Sequence, residues 1–406
     1  VGYVAARGGA EAIEAAEELV RRRRTTAPSP WLELDQLTGR LGLLVDRVMG
    51  EAGLWAPALA ARAVRQAEGD LVEAAHLVRA HLSRLPRYAR SEAVLTDEID
   101  VVRRIVPAFR QAPGPQLLGR TVDYTGRLLD LEPDESARHR SAHPVAGGHR
   151  PAPAGPAASV DQHRPGEGVA GGHGPATAGP AVAVDRRVPG RLLDVLRGMD
   201  LVVDRRRHDD PEPVDITAAP VGPGAPRSAR LSVMARAETG ALVNLWYRNI
   251  LGPDSHLHEV TLGEVRHGRL PVRVRHPVTG GAVTVARVEV TEVEAIEDLD
   301  GIDEDRTRFD VGYGLCLGHN ERKAIAMANL DIALHRDRGR TPLAQSVLMT
   351  TDGLDSSGFL EHLKLPHYVT FRSMVERKMA MRSERATGNR RGRTAARVAS
   401  TQPSAP

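Results

Sequence analysis

Leu34, Leu37, Leu41, Leu44, Val45 and Val48 follow one another at steps of three and four, the clearest apolar stripe in the chain, and predict an amphipathic helix across 34–48. The same spacing recurs on both sides of it. Glu11 to Arg24 consists of good helix formers, with Ile13, Ala16, Leu19 and Val20 on one face. Pro57 is placed to open a further helix carrying Leu59, Ala63 and Ala67, because a first turn has no use for the missing N–H. Leu71, Ala75, Val78 and Leu82 predict one more. Helices this short are marginal alone, so their stripes must pack on one another or on a partner. The opening "VGYVAARGG" reads as an extended entry, and "QAPGPQLLGRTVDYTGRLLDL" (111–131) as a loop with two prolines leading into a short helix.

Farther along, the period changes. "VTLGEVRHGRLPVRVRHPVTGGAVTVARVEVTEVEAI" (260–296) is rich in valine and alternates, which predicts an antiparallel meander of two to four strands with hairpin turns at "HGR" and "TGG". "GALVNLWYRNI" before it is an apolar run. "FDVGYGLCLGHNERKAIAMANLDIALHR" (309–336) passes from an extended, glycine-spaced segment into a helix. "AQSVLMTT" (344–351) predicts a strand, and "DGLDSSGFLEHLKLPHY" (352–368) a long loop with a helical turn. Beyond about Ser383 the tail is expected to fray.

Residues 136–190 match neither period. They hold five histidines (His139, His143, His149, His163 and His173), many Pro and Gly, and no Leu, Ile or aromatic residue. Such a stretch cannot offset the entropy of ordering, so it is expected to be disordered or the aberrant product of another reading frame. The expected fold is α+β: a helical N-terminal region (1–133), the low-complexity segment (134–190), a β-rich middle (191–300), a mixed region carrying the candidate site (301–383) and a disordered tail (384–406).

Composition narrows the function. In 406 residues, 55 Lys and Arg nearly cancel 52 Asp and Glu, with the signs interspersed, so no basic stripe points to nucleic acid. No window approaches twenty apolar residues, which argues against a membrane span. The first residues lack a basic segment followed by an apolar one, and Cys316 stands alone, so a cytoplasmic location is expected. Only Lys323, Lys364 and Lys378 are lysines, and two of them fall inside motifs.

Three stretches could carry chemistry. In "GYGLCLGHNERKAIAMA", Gly312, Gly314 and Gly318 precede a helix whose first turn holds Arg322 and Lys323. A turn of this kind can present N–H groups and the helix dipole to a phosphate; equally, the glycines can serve the turn and the charges face solvent. "TTDGLDSSGF" sets Asp352 and Asp355 three apart, fit for a base, an electrostatic stabiliser or a metal ligand, or for an Asx-rich turn without chemistry. "HLKLPH" places His362 and His367 on either side of Lys364 and Pro366, where they could chelate a metal, clamp a phosphate or pack.

Taken together, "YVAARGGAEAIEAA", "LGLLVDRVMGEAGLWAPALAARAVRQAEGDLVEAAHLVRAHLSRLPR", "GPQLLGRTVDYTGRLLDL", "YGLCLGHNERKAIAMA" and "SSGFLEHLKLPHYVTF" resemble the nucleosidase subunit, subunit I, of the bacterial carbon–phosphorus lyase core complex. The resemblance implies a nucleosidase acting on ATP or GTP. With its partner subunits it would displace adenine from ATP by an alkylphosphonate, giving ribose 1-alkylphosphonate 5-triphosphate. It also implies that His362 and His367 belong to a metal site, zinc or another divalent ion, shared with a partner near the iron–sulfur radical subunit. A lone Cys316 cannot hold an iron–sulfur cluster, so radical C–P cleavage would belong elsewhere. Within that reading Asp352 or Asp355 would stabilise an oxocarbenium-like ribose, and Gly318, Arg322, Lys323 and Lys364 would hold the triphosphate. The rivals are a non-catalytic scaffold subunit and a nucleotide-binding regulator.

Overall fold

The computed structural model describes residues 10–26, 28–120, 129, 131, 133, 190–203, 213–251, 261–298, 307–336, 342–350, 352–354, 356, 357, 360 and 374–399. Its helices and strands, in chain order, are α1 (Ala10–Thr25), α2 (Leu34–Arg40), α3 (Gly42–Ala52), α4 (Pro57–Gln66), α5 (Leu71–Leu82), β1 (Asp100–Ile105), α6 (Leu192–Gly198), α7 (Arg227–Arg236) and α8 (Thr239–Leu251). There follow β2 (Thr261–Arg275), β3 (Ala282–Asp298), β4 (Phe309–Leu317), α9 (Glu321–Arg336), α10 (Pro342–Thr350) and α11 (Met374–Ala399). Two compact units result, one within Leu34–Leu354 and one drawn from Val1–Glu33 and Asp355–Pro406. The second contributes α1 and α11. The first holds everything discussed below.

Three of the four predicted N-terminal stripes become a helical layer; the one across 34–48 is broken at Leu41 into α2 and α3, while Ile13, Leu19 and Val20 of α1 stay exposed. Leu37, Val45, Val48 and Met49 are buried with Ala60, Val64, Ala75 and Val78 of α4 and α5. Burying one such large side chain stabilises by roughly 1.5–3 kcal/mol. Pro57 opens α4 as expected, and Asp70 caps α5 by accepting from the N–H groups of Val72 (2.9 Å) and Glu73 (3.1 Å).

The sheet runs in the order β1-β2-β3-β4, every neighbour antiparallel. Its two faces differ. On one, Val265, Val293, Ala295 and Cys316 pack against Ala324, Met327, Ala328 and Ile332 of α9, with Met234 and Leu242 of α7 and α8 in the same core. The helix comes unusually close, because Gly312 and Gly314 of β4 carry no side chain. A Cβ on Gly312 would lie 1.9 Å from the carbonyl oxygen of Ala328, and one on Gly314 2.2 Å from that of Ala324.

The other face carries a band of buried charge between two small apolar clusters. Glu264 accepts from Arg104 Nε (2.7 Å), Arg266 Nε (2.6 Å) and the Leu192 N–H (2.8 Å). Burial pushes its carboxyl up, but those donors together outweigh it and hold the group below its ordinary value. Beside it, Arg191 donates to Glu294 (2.8 Å) and to Glu292, which also accepts from Tyr313 Oη (3.0 Å) and Thr96 Oγ1 (2.6 Å). Alternation along β3 thus presents Thr291, Val293 and Ala295 to α9 and Glu292 and Glu294 to this band.

Several expectations from sequence are corrected. Residues 344–350 are helix, not strand: Pro342 begins α10, and Ala344 and Val347, three apart, are buried in the core beneath α7 and α8. "HGR" is no turn, because β2 runs straight through it. Gly268 pairs with Val101 beside a bulge in β1, and a Cβ there would lie 2.3 Å from the Asp100 oxygen. "TGG" does form the hairpin, with Gly280 at φ 69°. The tail that was expected to fray is helical to Ala399, through Gly388 and Gly392, with arginine and alanine its most frequent residues. The sheet takes β1, β2 with β3, and β4 from three different stretches, so it joins segments that composition alone had separated. The opening nonapeptide, residues 136–189 and most of the predicted loop at 352–368 lie outside the described residues.

Two substitutions test this packing. Gly312→Ala must push α9 off the sheet and should cost about 1–3 kcal/mol or more. Glu264→Gln leaves two buried guanidinium groups without their shared carboxylate and should cost roughly 3–5 kcal/mol. Denaturant midpoints of the purified variants against the parent chain check both.

Candidate functional site

Where β4 ends, Gly318 turns the chain at φ 74°, a conformation that disfavours any residue with a Cβ; one here would also lie 2.8 Å from Asp46 Cβ. Its N–H donates to the Glu289 carbonyl (2.7 Å) and its carbonyl accepts from Thr291 Oγ1 (2.7 Å). Asn320 then ties the turn to α3, donating from Nδ2 to the carbonyls of Asp46 (2.9 Å) and Leu317 (2.6 Å). The start of α9 is therefore fixed against both the helical layer and the sheet.

A cavity of about 900 Å³ opens at this junction. Leu43, Val45, Met49 and Trp55 give it an apolar wall, and His319, Asn320, Glu321, Arg322 and Lys323 form the α9 side. Arg47, Arg103 and Arg120 add cations, Asp46 and Glu289 carboxylates. His267 and His319 stack within it, centroids 4.3 Å apart and planes at 21°. His267 Nδ1 lies 3.0 Å from the Val290 carbonyl, so Nδ1 carries the hydrogen and Nε2 is the free face of the neutral ring. Burial, reinforced by His319, pulls His267 down to about 4. Glu321 is bonded by Arg103. Although burial acts against it, contacts with His319 and Arg103 bring its carboxyl down to about 2. Asp46 is displaced upward by burial, which outweighs the His319 backbone N–H it accepts.

Lys323 lies deepest. It is fully buried, and its Nζ has no hydrogen-bond partner among the described residues. Burial draws it down to about 8, against the opposing pull of Cys316, Glu51 and Glu238, while Arg79 adds to the lowering. Cys316 itself is pushed up to about 12 by burial. Glu51, also fully buried, accepts on Oε1 from Arg47 Nε (2.8 Å) and the Thr239 N–H (3.0 Å), leaving Oε2 without a partner among those residues. Thr239 Oγ1 is buried and unpartnered in the same way.

Of the residues picked from sequence, Gly318, Arg322 and Lys323 come together here. Asp352 is elsewhere in the unit, at 3.0 Å from Arg79 Nη1 through both carboxylate oxygens. Arg79 in turn donates to the carbonyl of Glu51 (2.8 Å), so the pair braces α5 against α3. Asp355, His362, Lys364 and His367 lie outside the described residues. Among the described residues, no group of three or more His, Cys, Asp or Glu could hold a metal ion, and no helix is long and apolar enough to cross a membrane. Sequence reasoning missed Asp46, Arg103, Arg120, His267 and Glu289, which are scattered singly along the chain. His319, inside the glycine motif, could have been found there.

Comparison with known proteins adds a family. The model of a bacterial phosphonate metabolism protein (PhnI) matches residues 2–385. A putative C-P lyase subunit protein, HtxH, of Stutzerimonas stutzeri is 38% identical over 396 residues, spanning 93% of this chain and 95% of its own. An alpha-D-ribose 1-methylphosphonate 5-triphosphate synthase subunit PhnI of Rhizobium meliloti is 35% identical over 390 residues, 94% of this chain and 95% of its own. Its namesake in Escherichia coli is 33% identical over 393 residues, 95% of this chain and 100% of its own.

The depressed pKa of His267 has a measurable consequence. Because the folded value, about 4, lies below the ordinary 6.5, its neutral form stabilises the fold fully above that ordinary value, and the contribution is lost as pH falls toward 4. Imidazole NMR should show His267 unprotonated at pH 5, and His267→Gln should flatten the fall of the denaturant midpoint between pH 6.5 and 4.

Proposed function

The chain belongs to the PhnI family of bacterial phosphonate metabolism proteins, and from that premise we propose that it is the nucleotide-cleaving subunit of an alpha-D-ribose 1-methylphosphonate 5-triphosphate synthase. In this reading adenine is displaced from ATP by an alkylphosphonate, within a multisubunit carbon–phosphorus lyase complex that includes an iron–sulfur radical subunit. The observation that carries it is the cavity at the start of α9, where cations, carboxylates and an apolar wall with one indole share about 900 Å³. A purine nucleoside triphosphate needs those three surfaces together: cations for phosphate, a carboxylate for the sugar, and an apolar wall for the base.

The roles divide by chemistry. Arg120 and Arg322, with the N-terminal turn of α9, suit the triphosphate, since guanidinium forks match phosphate and stay charged. Breaking the C1′–N9 bond puts positive charge on the ribose. The wall carboxylates are Asp46, Glu289 and Glu321; Glu321 is held by Arg103 and Glu289 accepts from Arg269 Nε (3.2 Å), so Asp46 is assigned to that charge. Asp352 is engaged by Arg79. Asp355 is the remaining carboxylate proposed from sequence for the same task, as Lys364 is for a phosphate oxygen. His362 and His367 would supply two ligands to a zinc or other divalent ion, the rest coming from a partner subunit.

Two measurements test this reading. The full chain, copurified with its partner subunits, should release adenine from ATP, giving ribose 1-methylphosphonate 5-triphosphate when methylphosphonate is supplied and ribose 5-triphosphate by hydrolysis when it is not. ATP left intact under both conditions would favour the scaffold reading. The His362→Gln, His367→Gln double variant should lose bound divalent metal from the assembled complex by elemental analysis. Unchanged metal content would return both histidines to packing.

A further inference from the structure

The floor of the cavity does more than bind. Four arginines on its wall, Arg47, Arg103, Arg120 and Arg322, carry permanent charge, whereas Lys323 is the one lysine among the cavity residues and the only lysine in the compact unit that holds it. It is placed three residues into α9 by the Gly318 turn and the Asn320 clamp, fully buried, with no hydrogen-bond partner for Nζ among the described residues. Burying an ammonium without an acceptor is costly unless something that enters the site completes it. Two more orphaned atoms belong to the same neighbourhood: Glu51 Oε2, whose carboxylate acts on Lys323 electrostatically, and Oγ1 of Thr239, a cavity residue whose N–H holds that carboxylate. The ammonium of Lys323 and the hydroxyl of Thr239, both on the cavity lining, form an amphoteric pair with the Glu51 carboxylate acting on the ammonium from behind. They do not suit a dianion, which Glu51 would repel. They suit a heteroaromatic base, which offers ring-nitrogen acceptors and exocyclic groups along one edge.

We propose that Lys323 is the general acid of this site, protonating the purine as it leaves, with Glu51, itself held by the Thr239 N–H, acting electrostatically on its amine. The proposal rests on the nucleotide-cleaving reading above. In the step, the electron pair of the C1′–N9 bond passes into the purine, and the proton on Lys323 Nζ goes to the ring nitrogen N7. Adenine thus departs as a neutral molecule. A phosphonate oxygen forms the new C1′–O bond, and the neutral amine recovers a proton from solvent before the next turnover. Groups facing the amine are Cys316 of β4, Glu51 of α3, Arg79 of α5 and Glu238 beside α8. Burial sets the balance among them at about 8, close to where a general acid is most useful. An arginine here would bind phosphate as well but could not give up its proton.

The test compares two leaving groups in the copurified complex. One substrate is ATP; the other is ribose 5-triphosphate bearing 4-nitrophenolate at C1 in the same configuration, which departs without a proton. Lys323→Met should lower adenine release on the order of 10²-fold or more while nitrophenolate release stays within about fivefold. In the unaltered complex, adenine release should decline as pH rises through about 8, and nitrophenolate release should not. That pH comparison stands even where Lys323→Met fails to fold. Equal losses on both substrates, no loss on either, or matching pH profiles would overturn the role of Lys323 alone. An unaltered complex that releases no adenine from ATP would overturn the nucleotide-cleaving reading and this role with it.

Discussion

The contact on which the unit depends is backbone against backbone, where α9 lies on β4 over Gly312 and Gly314. With no Cβ between them, the carbonyls of Ala324 and Ala328 come within van der Waals reach of the strand itself. This seats the helix deep enough for Met327, Ala328 and Ile332 to fill the core with Val293 and Ala295. It also sets the height at which α9 begins. Gly318 and Asn320 can then reach α3, and the first turn of the helix faces the cavity rather than solvent. A larger residue in β4 would lift the helix and open the site before it disturbed any site residue.

Charge is distributed by burial in two distinct ways. On the far face of the sheet, Arg104, Arg191 and Arg266 meet Glu264, Glu292 and Glu294 in direct hydrogen bonds, so each ion has a partner and the band serves to hold β1, β2, β3 and α6 together. At the cavity the same kinds of residue are left incompletely paired. Lys323 Nζ and Glu51 Oε2 are both buried, act on each other electrostatically, and are not bonded to each other. The band is not complete either, since Glu294 Oε2 is buried without a hydrogen-bond partner among the described residues; what sets the other cluster apart is that Lys323 and Thr239 line an open cavity.

Much of this was legible in the sequence. Steps of three and four marked α2 to α5, the first two as one helix, because each buries one face, whereas the α1 stripe stays exposed. Alternation marked β2 and β3 because each face of the sheet meets a different layer. The glycine-spaced run into "HNERK" was legible as strand, turn and helix for the same reason. The failures have physical causes. "AQSVLMTT" is short, and with only Ala344 and Val347 buried it spans too few turns for its period to separate helix from strand. "HGR" looked like a turn because glycine commonly marks one, whereas Gly268 makes room for the bulge of the neighbouring strand β1. Of the site, Gly318, Arg322 and Lys323 were visible as a local motif. Glu51, Asp46, Arg120, His267 and Glu289 are brought in by tertiary contacts from separate elements, and nothing local distinguishes them from surface charge.

The central claim is that the cavity at the start of α9 receives the purine of a nucleoside triphosphate. Photolabelling the copurified complex with 8-azido-ATP and mapping the adduct by peptide mass spectrometry tests it directly, since the azide sits on the ring edge that Lys323 is proposed to meet. The account predicts adducts within 42–57 or 318–323, abolished by excess ATP. Competable labelling found only outside the cavity-lining residues would contradict it.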